Sequence, residues 1–219
     1  MNLGLLFIET ILVYFSILLL YKYFKQDGLY IFIILGCILF NVLLLKSIEI
    51  LSYESVLGLS INTAIFVIAN ILVQKNGPEE VKKIIIVVLI SSFFSYAILS
   101  MGSLLNSSDY NLISNLAYDE LFCFNLRLFV ANLLSMLMLI LINARLYHAL
   151  RRIKNNILIS NIFTMIIICF IESIIFIIIG YIGSSMYEIL NLIVIRYILK
   201  LFIGLTGTID IYLINKMKN

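Results

Sequence analysis

Charge is scarce in this chain. Of its 219 residues, 12% are Asp, Glu, Lys or Arg and 63% are hydrophobic. A soluble domain averages about 25% charged and about 45–50% apolar residues, so a chain of this size could not hide so much apolar surface from water. With a mean hydropathy of +1.14, its expected solvent is lipid. One proline and no tryptophan leave few helix breakers and no indole anchors at the interface. Tyrosine must supply the aromatic belt, and Tyr21, Tyr23, Tyr30, Tyr147, Tyr181, Tyr187 and Tyr212 all fall near the ends of apolar stretches. There is one histidine, His148, and three cysteines, Cys37, Cys123 and Cys169, without a CxxC pair. The cysteines read as packing or lipid-facing residues. HExxH, GxSxG, P-loop and cysteine–histidine patterns are absent, so no enzyme, cofactor or metal site is expected, and no nucleotide-driven pump on this chain alone. No basic run is long enough to suggest a nucleic-acid partner. The first apolar run lacks a basic leader and a small-residue cleavage site, and it reads as a retained span.

What remains is a series of long apolar runs. About 20 residues at 1.5 Å rise cover a ~30 Å hydrocarbon core. The runs predict an all-α integral membrane protein, a bundle of six to seven transmembrane helices in a single domain over 1–219. The spans are expected near 3–21, 29–45, 55–73, 84–102, 123–146, 157–181 and 190–213. Asn76-Gly77-Pro78 is a turn, and Pro78 with Glu79 and Glu80 suits the start of a helix. Asn106-Ser107-Ser108-Asp109 reads as a solvated outer loop.

Loop charge orients the bundle. Alternate loops place Lys22, Lys25, Lys75, Lys82, Lys83, Arg145, Arg151, Arg152, Lys154, Lys216 and Lys218 on one side, with Lys46 alone on the other. Glu49, Glu54, Asp109, Asp119, Glu120 and Glu188 fall with Lys46. The excess of positive charge marks the cytoplasmic side. The N-terminus is therefore expected outside and the C-terminus in the cytoplasm, which requires an odd number of spans.

The stretch Asn191 to Tyr212, NLIVIRYILKLFIGLTGTIDIY, is long enough to span yet carries Arg196 and Lys200. Four residues apart, they share a helix face. Either one at the bilayer centre costs roughly 2.5–3.5 kcal/mol on insertion scales, so both should face protein, water or a partner. Counting from the outer ends of the spans puts Asn132, Glu172 and Lys200 about 14 Å deep, near the midplane. Arg196 and Arg127 lie higher on their helices, and Asn62 is placed to join from above. These six residues form the expected substrate layer. A buried ion pair that only fixes packing is the competing reading of Glu172 and Lys200, but the excess cations call for an anionic or polar ligand. A second polar tier toward the cytoplasm comprises Asn70, Gln74, Asn143 and Asp210, where amides can also serve as interhelical glue. Gly204 and Gly207 allow close helix contact or local unwinding.

Several stretches, taken together, resemble the queuosine-precursor transporters, also called the vitamin uptake transporter family. NTAIFVIANILVQKNGPEEVKK resembles a third-helix signature in which Asn70 and Gln74 stand at an Asp and a Glu, and Gly77 matches. RLFVANLLSMLMLILINARLYHALRR fits through Arg127, Ala131, His148 and Arg151, whereas Asn132, Ile140 and Asn143 replace Ser, Gln and Asp. TMIIICFIESIIFIIIGYIG fits through Thr164, Ser173 and Phe176, with Glu172 for an Asp and Cys169 for a Gln. The closing YILKLFIGLTGTIDIYL fits through Lys200, Thr208 and Tyr212, with Ile209 for a Pro. The resemblance covers about 55–215. It implies a helical-bundle importer of 7-deazapurines such as 7-cyano-7-deazaguanine or queuine.

The reading is a multi-pass protein of the cell membrane that imports a small polar or heterocyclic nutrient. Its expected partners are the lipid bilayer and a small-molecule substrate, with a homo-oligomer or an accessory subunit left open. The alternative is a non-transporting membrane partner, or a substrate-capture subunit of a larger transport complex.

Overall fold

The computed structural model describes residues 2–50, 53–105, 112–122, 126–154 and 156–217. It is an all-α polytopic membrane protein. Its helices are α1 (Asn2–Leu43), α2 (Leu59–Asn76), α3 (Glu80–Gly102), α4 (Leu112–Phe122), α5 (Leu126–Lys154), α6 (Ile157–Gly180) and α7 (Met186–Lys216). Five of them, α1, α3, α5, α6 and α7, are long and apolar enough to cross a bilayer.

The 42-residue α1 is not one rod. Lys25 takes φ 54° and ψ −128°, outside the helical region, and the chain folds back there. A Cβ on Gly28 would lie 2.2 Å from the carbonyl oxygen of Leu20, a contact that a straight helix would not make at this separation. Glycine is required because only a bare Cα admits so close a backbone. The two arms correspond to the apolar runs at 3–21 and 29–45.

A small antiparallel ribbon then interrupts the helices. β1 (Ser47–Ile50) pairs with β2 (Tyr53–Val56), Glu49 facing Glu54 across the strands. The span expected from residue 55 therefore starts at Leu59, after Gly58 turns the chain at φ 82°. A Cβ on Gly58 would lie 3.0 Å from side-chain carbons of Phe40 and Leu43, so glycine meets both the dihedral and the space. The polar–apolar alternation in SIEI was the missed strand signal. The segment before α5 also holds the unexpected α4, whose Tyr118 hydroxyl donates to Leu99 O at the end of α3. The expected outer loop at Asn106–Asp109 and Cys123 lie outside the described residues.

The helix α2, which is not among the five long apolar helices, is the most enclosed of the described helices. Every residue of α2 from Leu59 to Val73 is buried, and α2 packs against α1, α3, α5, α6 and α7. Polar side chains on this helix therefore face protein, which spares them the cost of lipid exposure. Around it, Leu, Ile and Phe side chains of α1, α3, α5, α6 and α7 remain exposed, as expected for a lipid-facing surface. The tyrosine belt needs correction: Tyr21, Tyr30 and Tyr147 are buried, whereas Tyr23, Tyr187 and Tyr212 are exposed. Cys37 and Cys169 are buried packing residues.

The turns sort by charge. Gln26, beside the α1 reversal, exchanges two hydrogen bonds with Asn76 at 2.9 and 3.0 Å. That end of the bundle carries the lysine- and arginine-rich turns. At the opposite end, Asn2 donates to Glu49 O at 2.7 Å, and the start of α7 meets β2.

Candidate functional site

Glu172 sits two turns before the end of α6, and Lys200 at the middle of α7. Arg196 grips the Glu172 carboxylate with both edges of its fork: Nη2 donates to Oε1 at 2.8 Å and Nε to Oε2 at 3.2 Å. Lys200 Nζ approaches Oε2 at 2.6 Å. All three side chains are buried, Glu172 and Lys200 completely. Desolvating each ion costs several kcal/mol, recovered only when geometry is good and remaining hydrogen-bonding groups are satisfied. Here one carboxylate serves two cations, so the trio carries a net positive charge. Part of that excess is met by aromatic faces: the Phe176 ring centre lies 3.8 Å from the Arg196 guanidinium carbon, and that of Phe66 is 5.6 Å from Lys200 Nζ.

The network continues through amides. Lys200 Nζ donates to Asn62 Oδ1 at 2.6 Å, and Asn62 Nδ2 donates to Asn132 Oδ1 at 3.4 Å. Asn132 Nδ2 donates in turn to Asn41 Oδ1 at 3.3 Å. Asn41 Nδ2 then reaches Ser95 Oγ at 2.7 Å and Ser92 O at 3.0 Å. One buried polar chain thus passes through α7, α6, α2, α5, α1 and α3. Of the six residues expected in this layer, Glu172, Lys200, Arg196, Asn62 and Asn132 come together.

Arg127 does not. It is exposed at the start of α5 and donates through Nε to Ile179 O at 3.3 Å, and through Nη2 to Ile182 O. These carbonyls lie at and just past the end of α6, where a cation also suits the helix dipole. Depth counting put Arg127 at the border of the layer, but the nearby helix end captures its side chain.

The second tier is a ladder of amides. Asn143 Nδ2 donates to Asn70 Oδ1 at 2.8 Å and to Phe66 O at 3.2 Å. Asn70 Nδ2 donates to Asn161 Oδ1 at 2.8 Å, and Asn161 Nδ2 to Thr208 Oγ1 at 2.9 Å. Asn161 was missed, although asparagine inside an apolar helix was the available signal; Asn41 was missed likewise. Gln74 separates from this tier. Its Oε1 accepts from Tyr147 OH at 3.0 Å and from Arg151 Nε at 2.8 Å. Asp210 is buried, with Oδ2 lacking a hydrogen-bond partner among the described residues. Gly204 and Gly207 serve close packing: Gly204 against Met165 and Thr63, and Gly207 against the Tyr14 ring, whose hydroxyl donates to Ile203 O at 2.9 Å.

Two openings flank the buried layer. At the ribbon end, a cavity of about 490 Å³ is lined by residues of β2, the turn after α6 and the start of α7, among them Glu54, Tyr181, Ser184, Glu188, Asn191 and Leu192. Arg196 follows Leu192 by one helical turn, so this vestibule stops just short of the charges. The Tyr181 phenol, in the turn after α6, is pushed above its ordinary value chiefly by burial. Arg196 draws it down and Glu54 pushes it up. At the basic end, a cavity of about 250 Å³ opens between Gln74, Tyr147, His148, Arg151 and Arg152. Buried charges beneath one opening, and an amide ladder before the other, form an arrangement suited to occluding a small polar solute.

The family described as "Putative vitamin uptake transporter" matches residues 56–214, which hold α2 to α7 and both polar tiers apart from the α1 contributions. The chain belongs to the vitamin uptake transporter family. It is also similar to the "Probable queuosine precursor transporter" of Bacillus subtilis (strain 168), at 27% identity over 144 residues. That alignment covers 66% of this chain and 62% of the relative, so the chain spans less than two thirds of the relative's length. No solved structure matches the chain. This vitamin uptake transporter homologue therefore receives Asn41, Ser60's partner Glu9, and Tyr14 from a region that precedes the family match.

Proposed function

We propose that this chain imports a small polar heterocycle, a 7-deazapurine of the queuosine-precursor type, across the cell membrane. The observation that carries the reading is the enclosed network of Arg196, Glu172, Lys200 and Asn62, brought together by α7, α6 and α2. A heterocycle with a purine-like amide edge presents paired donors and acceptors. Glu172 would accept from such an edge while Asn62 and Asn132 supply amides of either polarity. Lys200 and Arg196 keep the carboxylate charged and add donors for a carbonyl oxygen. The substrate would enter from the vestibule, displace part of the internal hydrogen bonding, and leave past the Asn70–Asn143–Asn161 ladder and Gln74.

The charge distribution supports an orientation with the ribbon end outside and the basic turns in the cytoplasm. Single cysteines at Ser184 and Asn76, in a chain whose three natural cysteines are replaced by alanine, should label from opposite sides of intact cells. Labelling of both from outside overturns the topology.

Uptake of defined 7-deazapurines, in a host lacking its own importer, tests the function. The wild type should restore accumulation. Glu172→Ala and Lys200→Ala should abolish it when uptake is normalised to the amount of folded protein in the membrane. Undiminished uptake by both variants removes this site. Failure of the wild type, with recovery of a stoichiometric partner from the membrane, would instead support the subunit alternative.

A further inference from the structure

The cavity at the basic end has a chemistry of its own, distinct from the amide ladder that precedes it. Arg151, Arg152 and His148 line it beside Gln74, Tyr147 and Gly77, and no carboxylate stands among its lining residues. The Arg151 guanidinium is held in place: Nε donates to Gln74 Oε1, which also accepts from Tyr147 OH. Yet Arg151 Nη1 is buried and has no hydrogen-bond partner among the described residues. A buried guanidinium nitrogen left without an acceptor is costly, more so than a neutral donor. The arrangement therefore places a fixed guanidinium in the wall of a cationic cleft, with its unfilled Nη1 donor closed off from the open space as the structure stands.

We propose that this cleft is a binding site for an oxyanion, the phosphate group of a small ester or of a lipid head. Arginine presents a planar fork that matches two phosphate oxygens, and Gln74 already sets the orientation of that fork. Arg152, exposed on the next position of α5, supplies a second positive charge at the rim. A space of about 250 Å³ holds a phosphate together with part of the molecule that carries it. A cation is disfavoured by the arginines, and an apolar ligand would leave Arg151 Nη1 unsatisfied. The site does not depend on the transport reading. Its occupancy would, however, bear on α2, because Gln74 lies one turn beyond Asn70 on that helix.

The test uses the full chain. Thermal unfolding in neutral detergent is measured with sodium pyrophosphate, inorganic phosphate or chloride at matched ionic strength. A second arm compares nanodiscs of phosphatidylcholine with and without phosphatidylglycerol. A rise in Tm with pyrophosphate or phosphate over chloride, at about tenfold higher ligand concentration in Arg151→Gln and Arg152→Gln, supports a soluble phosphate ligand. A rise confined to phosphatidylglycerol discs, and reduced in both variants, supports a lipid head. Arg151→Lys, which keeps the charge but loses the fork, should bind more weakly than wild type in whichever arm responds. Arg152→Gln alters an exposed residue and keeps the test open should the Arg151 variants fold poorly. No rise in either arm, or an equal rise in wild type and Arg152→Gln where Arg151 variants are also unaffected or unfolded, overturns the proposal.

Discussion

Lys200 Nζ rests 2.6 Å from Asn62 Oδ1, and the same ammonium lies 2.6 Å from Glu172 Oε2. One side chain at the middle of α7 thereby ties the enclosed α2 to α6. Asn62 then passes the connection to Asn132 and Asn41, so any movement of Lys200 must be answered on several helices.

Loss of the carboxylate should harm the fold more than loss of the lysine. Glu172→Gln leaves Arg196 and Lys200 buried without a counter-charge, a change that costs about 3–5 kcal/mol when one partner of a buried pair is removed. Lys200→Met keeps Glu172 in the two-pronged grip of Arg196. Thermal unfolding in detergent should therefore rank wild type above Lys200→Met, and Lys200→Met above Glu172→Gln. The reverse order would make the lysine the anchor of the network.

Arg127→Gln should behave unlike either. Its contacts are two carbonyls at the end of α6, not the buried layer. Uptake should stay near wild type, with a small loss of thermal stability. A loss of uptake as complete as that of Lys200→Ala would return Arg127 to the site.

Asn70→Asp should be tolerated. The new carboxylate would still accept from Asn143 Nδ2. Asn161 could rotate its amide to donate to it, and the Thr208 hydroxyl could then donate to Asn161. Asn70→Leu offers no such exchange and breaks two interhelical bonds, each worth about 0.6–2 kcal/mol in membranes. Comparing melting temperatures of the two variants checks this. Equal destabilisation would show that the ladder cannot reverse its polarity.

Gly28→Val should prevent the α1 reversal. Even the first carbon of the side chain would sit 2.2 Å from Leu20 O, a backbone atom that cannot swing aside. Folded, monodisperse protein should be nearly absent on size-exclusion chromatography. Gly4→Ala, which meets nothing within 4 Å, serves as the control and should purify as wild type.

Membrane residence was legible from composition, because no aqueous fold can bury so much apolar surface. The seats of Glu172, Arg196, Lys200, Asn62 and Asn132 were legible too, since each polar group inside an apolar run must find protein around it. Their order along the chain, with a helical rise of about 1.5 Å, was enough to bring Asn132, Glu172 and Lys200 to one level, with Arg196 and Asn62 above them. Depth, however, is a single coordinate. It says nothing about direction around a helix or about which neighbour offers the nearer partner. That is why Arg127, at a suitable height, went instead to the end of α6, and why Gln74 left Asn70 for Tyr147 and Arg151.

The sequence by itself determined that this is a polytopic helical protein with charge held inside the lipid, because transfer energies depend on composition and run length alone. Only the tertiary structure decided that α2 lies at the centre, that a two-stranded ribbon precedes it, and that Asn41 and Asn161 complete the two polar tiers. The physical reason is range: hydrophobicity sums residue by residue, whereas a hydrogen bond exists only when two particular atoms from distant parts of the chain meet within about 3 Å.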